Sequence, residues 1–287
     1  MASKIKVAIN GINGRMGKAS TRLILEDSQF ELVGAAGTPK ASYVGEDVGT
    51  LHVGKPIGVT VSNTIAEVMS QAKPDVLLDF SHAGPAVEAS LQAFNLGIRP
   101  VIGASGVLPD HVAQLSKAAK AKGLGGMVVP NFSVGAVLMM EFAQQAGAFF
   151  ENVEIVEMHH TKKLDAPSGT AMHTVGKLAS HQKEFNKKEV EEHELLKNSR
   201  GGHDAASGVR VHSLRLPGLI SHQEVIFGAP GELLTIRHDS FNTDCFLKGI
   251  RMAMIAVMNL DQVVVGLDKI LSLSATQQKQ AIGGRAS

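Results

Sequence analysis

The sequence predicts an α/β protein, with a parallel sheet covered by helices on both faces and a more β-rich second part. Three observations carry this. Short apolar runs alternate with segments of helical spacing up to about residue 129, the pattern of parallel strands joined by helices. A glycine-rich turn directly follows the first apolar run. Beyond residue 150, apolar and polar residues alternate as they do in half-buried strands. The 287 residues suggest two domains, at roughly 100–200 residues each. They are expected to divide after residue 132, where the pattern changes.

In order, Lys4–Asn10 (KIKVAIN) is a short apolar strand and Gly11–Gly17 (GINGRMG) a turn. Leu23 and Leu25 give Lys18–Glu26 a helical spacing. Phe30–Ala36, Val76–Phe80, Arg99–Gly103 and Met127–Val129 are further strands. Helices are expected at about Pro85–Leu96 and Pro109–Lys122. A long apolar helix, about Val134–Phe149, leads into a strand at Val153–Val156. Pro167 and Ser168 open a helix with Ala171, Val175 and Leu178 at its spacing. The charged stretch His181–Gly208 is expected to form a helix and mobile loops. Three strands follow, at Val209–Leu216, Glu224–Gly228 and Leu233–His238, with Val209, Val211, Ser213 and Arg215 sharing one face of the first. Phe246–Leu260 is helical and free to return to the first domain. The small, polar tail from Ser272 is expected to fray.

Composition excludes several classes. A net charge of +1 provides no broad field for nucleic acid or a membrane surface. No apolar run reaches the ~20 residues of a membrane helix, and no signal-like core precedes the first strand. Cys245 is the sole cysteine, so an internal disulfide and a thiolate-rich zinc site are excluded. A soluble protein of the reducing cytoplasm is expected.

A glycine turn between a first strand and a helix, backed by further β/α units, indicates dinucleotide binding. Gly11 suits the tight turn, while Gly14 and Gly17 permit close approach of backbone to pyrophosphate and of helix to sheet. Asn13 stands where glycine is common, and asparagine tolerates left-handed backbone. At the end of the second strand, an NAD site usually offers a carboxylate to the ribose. Here the residues are Gly37-Thr38-Pro39-Lys40, and Glu46 and Asp47 are the first acids. Thr38 and Lys40 suit a 2′-phosphate, which predicts NADPH over NADH, or dual use. Gly103-Ala104-Ser105-Gly106 and Pro130-Asn131-Phe132-Ser133, at two other strand ends, could line a nicotinamide pocket.

The stretch Glu157–Thr170 (EMHHTKKLDAPSGT) puts two imidazoles and two ammonium groups before a helix start, whose N–H groups favour an anion. Such a site suits a carboxylate or phosphate substrate that is protonated during reaction. The helix start at Ser168-Gly169-Thr170 can hold such an anion, with His160 and Lys162 adding positive charge beside it. Lys163 and His159 are the available proton donors. If the strand ran through His160, the two imidazoles would point to opposite faces. Paired histidines also suggest a metal, yet no acid or cysteine stands at ligand spacing and the lysines repel cations. No metal is expected. Asp165 and Pro167 are read as shaping the helix start, and Arg215 as architectural. His173, His193, His203, His212 and Cys245 receive no role.

The motifs GINGRMG, Asp79-Phe80-Ser81, GASG at Gly103, NFSVG at Asn131 and EMHHTKKLDAPSGTA at Glu157 occur in one order over most of the chain. In them the chain resembles the 4-hydroxy-tetrahydrodipicolinate (dihydrodipicolinate) reductases of lysine and diaminopimelate biosynthesis. The resemblance implies a Rossmann-like N-terminal dinucleotide-binding domain at 1–132, completed by about 241–287, and an α+β substrate domain at 133–240, whose open mixed sheet builds a homotetramer. It implies NAD(P)H-dependent reduction of a cyclic imine dicarboxylate to tetrahydrodipicolinate, with loss of water. Carried over by motif, His159 is the acid/base and Lys163 the proton donor, while His160, Ser168, Gly169 and Thr170 hold substrate. Gly11, Ile12, Asn13, Gly14, Arg15 and Met16 would contact the cofactor, with Gly103–Ser105 and Val129–Phe132. The chain departs from the family at Thr38-Pro39, where an acid is frequent. It departs again at Ser240–Thr243, where some members have a substrate-binding arginine. Two other classes compete: a nucleotide-sensing module without catalysis, which leaves the His/Lys cluster unexplained, and a chelator-sensitive hydrolase using His159 and His160.

Overall fold

The computed structural model describes residues 3–187 and 193–271. These divide into two compact units. One contains the residues up to Phe132 together with those from Phe246 on, and the other is Ser133–Cys245.

The first unit begins with β1 (Ile5–Asn10), α1 (Arg15–Glu26) and β2 (Phe30–Ala36). It continues through α2 (Val48–Val53), β3 (Val61–Ser62), α3 (Ile65–Ala72), β4 (Val76–Asp79), α4 (Ala83–Asn95), β5 (Arg99–Ile102), α5 (Pro109–Lys122) and β6 (Gly126–Val128). Val7, Ile9, Leu77, Leu78, Val101 and Ile102 are buried, as strands covered on both faces require. Proline at the start of α5 and left-handed Gly123 after it mark its two ends. Thr64 and Asp47 cap α3 and α2 by accepting from Glu67 N and Thr50 N.

The second unit holds α6 (Val134–Gly147), β7 (Asn152–His159), α7 (Gly169–Ala179), β8 (Gly202–His203), β9 (Arg210–Arg215), β10 (Ser221–Ala229) and β11 (Glu232–Ser240). Its sheet runs β11-β10-β7-β9-β8. It is mixed, because β7 and β9 pair in parallel while the other neighbours are antiparallel. On β7, burial alternates strictly: Val153, Ile155, Glu157 and His159 are inside, and Glu154, Val156 and Met158 are more open. The inner face packs against helices: α6 meets β10 and β11, and Gln223 on β10 donates to Thr174 on α7.

A turn of 3-10 helix (Thr243–Phe246) precedes α8 (Leu247–Ala256), and β12 (Val263–Val265) follows. α8 returns to the first unit, where Arg251 bonds Asp27 and Gln29. β12 pairs in parallel with β6. The first sheet is therefore β12-β6-β5-β4-β1-β2-β3, parallel throughout.

Most predicted elements are present, several with longer strands. α2, β3, α3 and β12 were not expected. No helix lies among the described residues of His181–Gly208; turns and the two-residue β8 stand there instead. The tail from Ser272 lies outside the described residues. Among those described, no helix is long and apolar enough to cross a membrane.

Candidate active site

In the first unit, strand order reverses between β1 and β4, and ligands in such sheets bind beyond the carboxyl ends at that reversal. A cleft of about 690 Å³ opens there. Gly11, Asn13, Gly14, Thr38, Tyr43, Phe80 and Ser81 are among its lining. Gly11 takes φ +81°, and its N–H bonds the carbonyl of Ala36 at 3.0 Å. A Cβ on Gly17 would stand 2.4 Å from the carbonyl oxygens of Gly11 and Ile12, so only glycine lets α1 start this close to the turn. Asn13 keeps a negative φ, and its tolerance of left-handed backbone is not used. Gly14 provides no side-chain cap and no acid occupies the first turn of α1, which leaves a helix start suited to a phosphate. These features fit a dinucleotide.

Other expected contacts are more scattered. Ile12 is buried beneath the turn, while Arg15 and Met16 form the first turn of α1, outside the cleft lining. Thr38 lines the cleft, and its N–H donates to Tyr43 Oη at 3.0 Å. Lys40 is exposed in a left-handed conformation outside the lining, with its N–H bonded to Asn63. Gly103–Ser105 and Val129–Phe132 follow β5 and β6, also outside the lining. Gly103 packs against Phe80 and Phe132, whose rings meet edge-on at 5.9 Å. Sequence reasoning missed the knot beneath the cleft. Asp79, fully buried, accepts from Asn10 Nδ2 (2.8 Å), Ser81 N (2.8 Å) and Ser81 Oγ (2.6 Å). A polar residue ending each of two strands, after Val7-Ala8-Ile9 in one and Val76-Leu77-Leu78 in the other, was the available signal.

In the second unit, β7 stops at His159, and His160 begins a turn closed by Lys163 N–H on the His160 carbonyl at 3.1 Å. The strand break resolves the parity question, since only His159 occupies a strand position. His159 Nδ1 lies 2.6 Å from Glu157 Oε2, and Nε2 lies 3.0 Å from Ser221 Oγ. Glu157 is fully buried. Burial pushes its carboxyl pKa up, but hydrogen bonds from His159, Arg215 and Ser213 outweigh that and hold it at about 2.

Lys163 Nζ reaches Asp165 at 2.7 and 2.8 Å, and this ammonium holds the Asp165 carboxyl below its ordinary value. Asp165 therefore partners the lysine as well as preceding the helix. Buried Ser168 caps α7 by accepting from Ala171 N at 3.2 Å, with exposed Gly169 and half-buried Thr170 in its first turn. Arg215, read as architectural, bonds the buried carboxylate of Glu157 and the carbonyl of Asp165. Among the described residues, no group of three His, Cys, Asp or Glu side chains is placed to hold a metal ion.

Comparison with known proteins agrees over nearly the whole chain. Family models for the N-terminus and C-terminus of dihydrodipicolinate reductase match residues 5–132 and 135–271. The 4-hydroxy-tetrahydrodipicolinate reductase of Cyanothece sp. is 39% identical over 270 residues, covering 93% of this chain and 98% of the relative. That of Geobacillus kaustophilus is 39% identical, covering 93% and 99%. A dipicolinate-bound dihydrodipicolinate reductase from Paenisporosarcina sp. superposes with a TM-score of 0.83 at 36% identity, over 93% of this chain and 100% of that one. An amine dehydrogenase from Mycobacterium smegmatis, at TM-score 0.65, 17% identity and 93% and 96% coverage, shares the fold alone. The fold is Rossmann-like in its first unit, and the cofactor is a nicotinamide dinucleotide. The chain belongs to the dihydrodipicolinate reductase family.

Proposed function

We propose that this protein reduces 4-hydroxy-tetrahydrodipicolinate to tetrahydrodipicolinate with NAD(P)H, the 4-hydroxyl leaving as water, in diaminopimelate and lysine biosynthesis. The observation that carries this reading is the ordered His159–Glu157–Arg215 network beside the Lys163–Asp165 turn and a helix start. A nucleotide sensor would have no use for it, and a hydrolase using His159 and His160 would lack a metal-ligand set among the described residues.

The first unit serves as cofactor domain. Gly11, Ile12, Asn13, Gly14, Arg15 and Met16 take the pyrophosphate at the turn and helix start. Gly103–Ser105 and Val129–Phe132 take the nicotinamide end. The bound cofactor supplies a hydride. Thr38 and Lys40 favour the 2′-phosphate of NADPH. Support comes from Asp47, whose carboxylate already accepts from the N–H groups of Thr50, Ile57 and Gly58 and so is engaged within its own loop.

The second unit serves as substrate domain. His160, Ser168, Gly169 and Thr170 hold a substrate carboxylate through charge and first-turn N–H groups. Lys163 donates the proton that completes reduction, and His159 acts as acid/base. The enzyme is assigned to the cytoplasm and to a homotetramer. The open face of the second sheet, where Glu154, Val156, His212, Leu214, Ile226 and Leu233 line a groove of about 660 Å³, supports that assembly. Light scattering that finds only monomer would remove it.

Coupled turnover of the imine dicarboxylate with NADPH and with NADH tests the whole reading. Turnover is expected with either cofactor, more efficiently with NADPH. Substrate binding without NADPH oxidation would refute the enzymatic reading, and higher efficiency with NADH would refute the preference.

A further inference from the structure

The roles assigned to His159 and Lys163 leave a buried ion pair unaccounted for. Glu157 sits two positions before His159 on the inner face of β7, fully buried. Arg215 grips it with both ends of its guanidinium, Nη2 to Oε1 at 2.7 Å and Nη1 to Oε2 at 3.0 Å. The parallel register of β7 and β9, with Glu157 opposite Ser213 and His159 opposite Arg215, brings these groups together. Desolvation offsets most of the attraction within a buried pair, so stability alone is a weak reason for one.

Orientation is a stronger reason. Ionised Glu157 can only accept hydrogen bonds, so the 2.6 Å contact requires a proton on His159 Nδ1. Nε2 is then the nitrogen free to exchange protons, and Ser221 Oγ on β10 faces it at 3.0 Å. Arg215 extends the arrangement. Its Nη2 also donates to the Asp165 carbonyl at 2.8 Å, and the Asp165 carboxylate holds Lys163. One guanidinium thus ties the strand end bearing His159 to the turn bearing Lys163.

We infer that Glu157 and Arg215 are positioning residues for the acid–base pair. Glu157 fixes the tautomer and ring plane of His159, and Arg215 fixes the Lys163 turn relative to it. This rests on the acid–base reading above, and the test separates the two. Nitrogen-15 NMR of histidine-labelled wild type should show neutral His159 protonated on Nδ1; protonation on Nε2 overturns the inference. Glu157→Gln should lower kcat about 100-fold, the scale of lost acid–base catalysis, with both KM values changed less than about threefold. Added to His159→Ala, it should cost nothing more, because the two act as a unit. A further loss equal to that in wild type overturns the inference.

Arg215→Lys keeps the charge without the fork. It should lower kcat in wild type and leave kcat unchanged when added to Lys163→Ala; equal losses in both backgrounds overturn Arg215's role. If His159→Ala retains wild-type kcat, the acid–base reading falls, while the NMR spectrum still decides the tautomer. Should Glu157→Gln not fold, the wild-type spectrum and the Arg215→Lys pair decide the matter.

Discussion

The two units prepare their sites from opposite materials. The proposed cofactor cleft is shaped by backbone: a left-handed Gly11, a helix start pressed onto the turn at Gly17, and N–H groups without a side-chain cap. The proposed acid–base cluster is shaped by ionised side chains, with Glu157, Arg215, Asp165 and Lys163 in one connected network. Backbone cradles suit a ligand whose charge is fixed. Side-chain networks suit a reaction in which protons move. A glycine site should therefore fail by sterics, and an ionic one by pH and by loss of charge.

Removal of the proposed proton donor provides the sharpest contrast. Lys163→Ala should lower kcat about 100- to 10,000-fold and leave cofactor affinity unchanged, as read by steady-state kinetics and fluorescence titration. A kcat within about threefold of wild type would break the division of labour. In the cleft, Gly17→Ala forces a methyl to within 2.4 Å of two carbonyl oxygens. Overpacking of this kind costs about 1–3 kcal/mol, and cofactor affinity should fall while dicarboxylate affinity, measured by calorimetry, holds. Equal losses for both ligands would show that the two sites are not separately built.

The ionic region should also show itself in acid. Glu157 is depressed from an ordinary 4.5 to about 2 on folding. A depressed carboxylate stabilises the fold fully above the unfolded value, and that stabilisation is lost as pH falls from about 4.5 towards about 2. Acid unfolding followed by circular dichroism should become less steep over this window in Glu157→Gln; an unchanged profile would show that Glu157 contributes nothing there. The smallest effect is expected from Ser168→Ala, which removes the α7 cap and should cost about 1 kcal/mol, measured as a lower denaturant midpoint.

The same contrast explains what was legible in the sequence. Gly11 and Gly17 answer local demands of the backbone, so the turn could be read from seven consecutive residues. The cluster's own residues were legible because they are contiguous. Its support was not, because Arg215 reaches Glu157 across a pairing of strands 58 residues apart. The face shared by Ser213 and Arg215 was visible, but nothing in a single strand names its partner. The short elements between β2 and β4 escaped because a two-residue strand has no period, although Thr64 and Glu67 form a readable helix start. β12 consists of three valines that become a strand through pairing with β6.

The buried bond between Asn10 and Asp79 has a consequence for affinity. It joins the two strands that flank the cleft proposed for the cofactor, at the point where each chain segment leaves the sheet. A floor already tied together needs little ordering when a ligand arrives, so less of the contact energy is lost to conformational entropy. Binding there should resemble a coin settling into a cast mould more than a hand closing on it, with fast association and small changes in backbone hydrogen exchange.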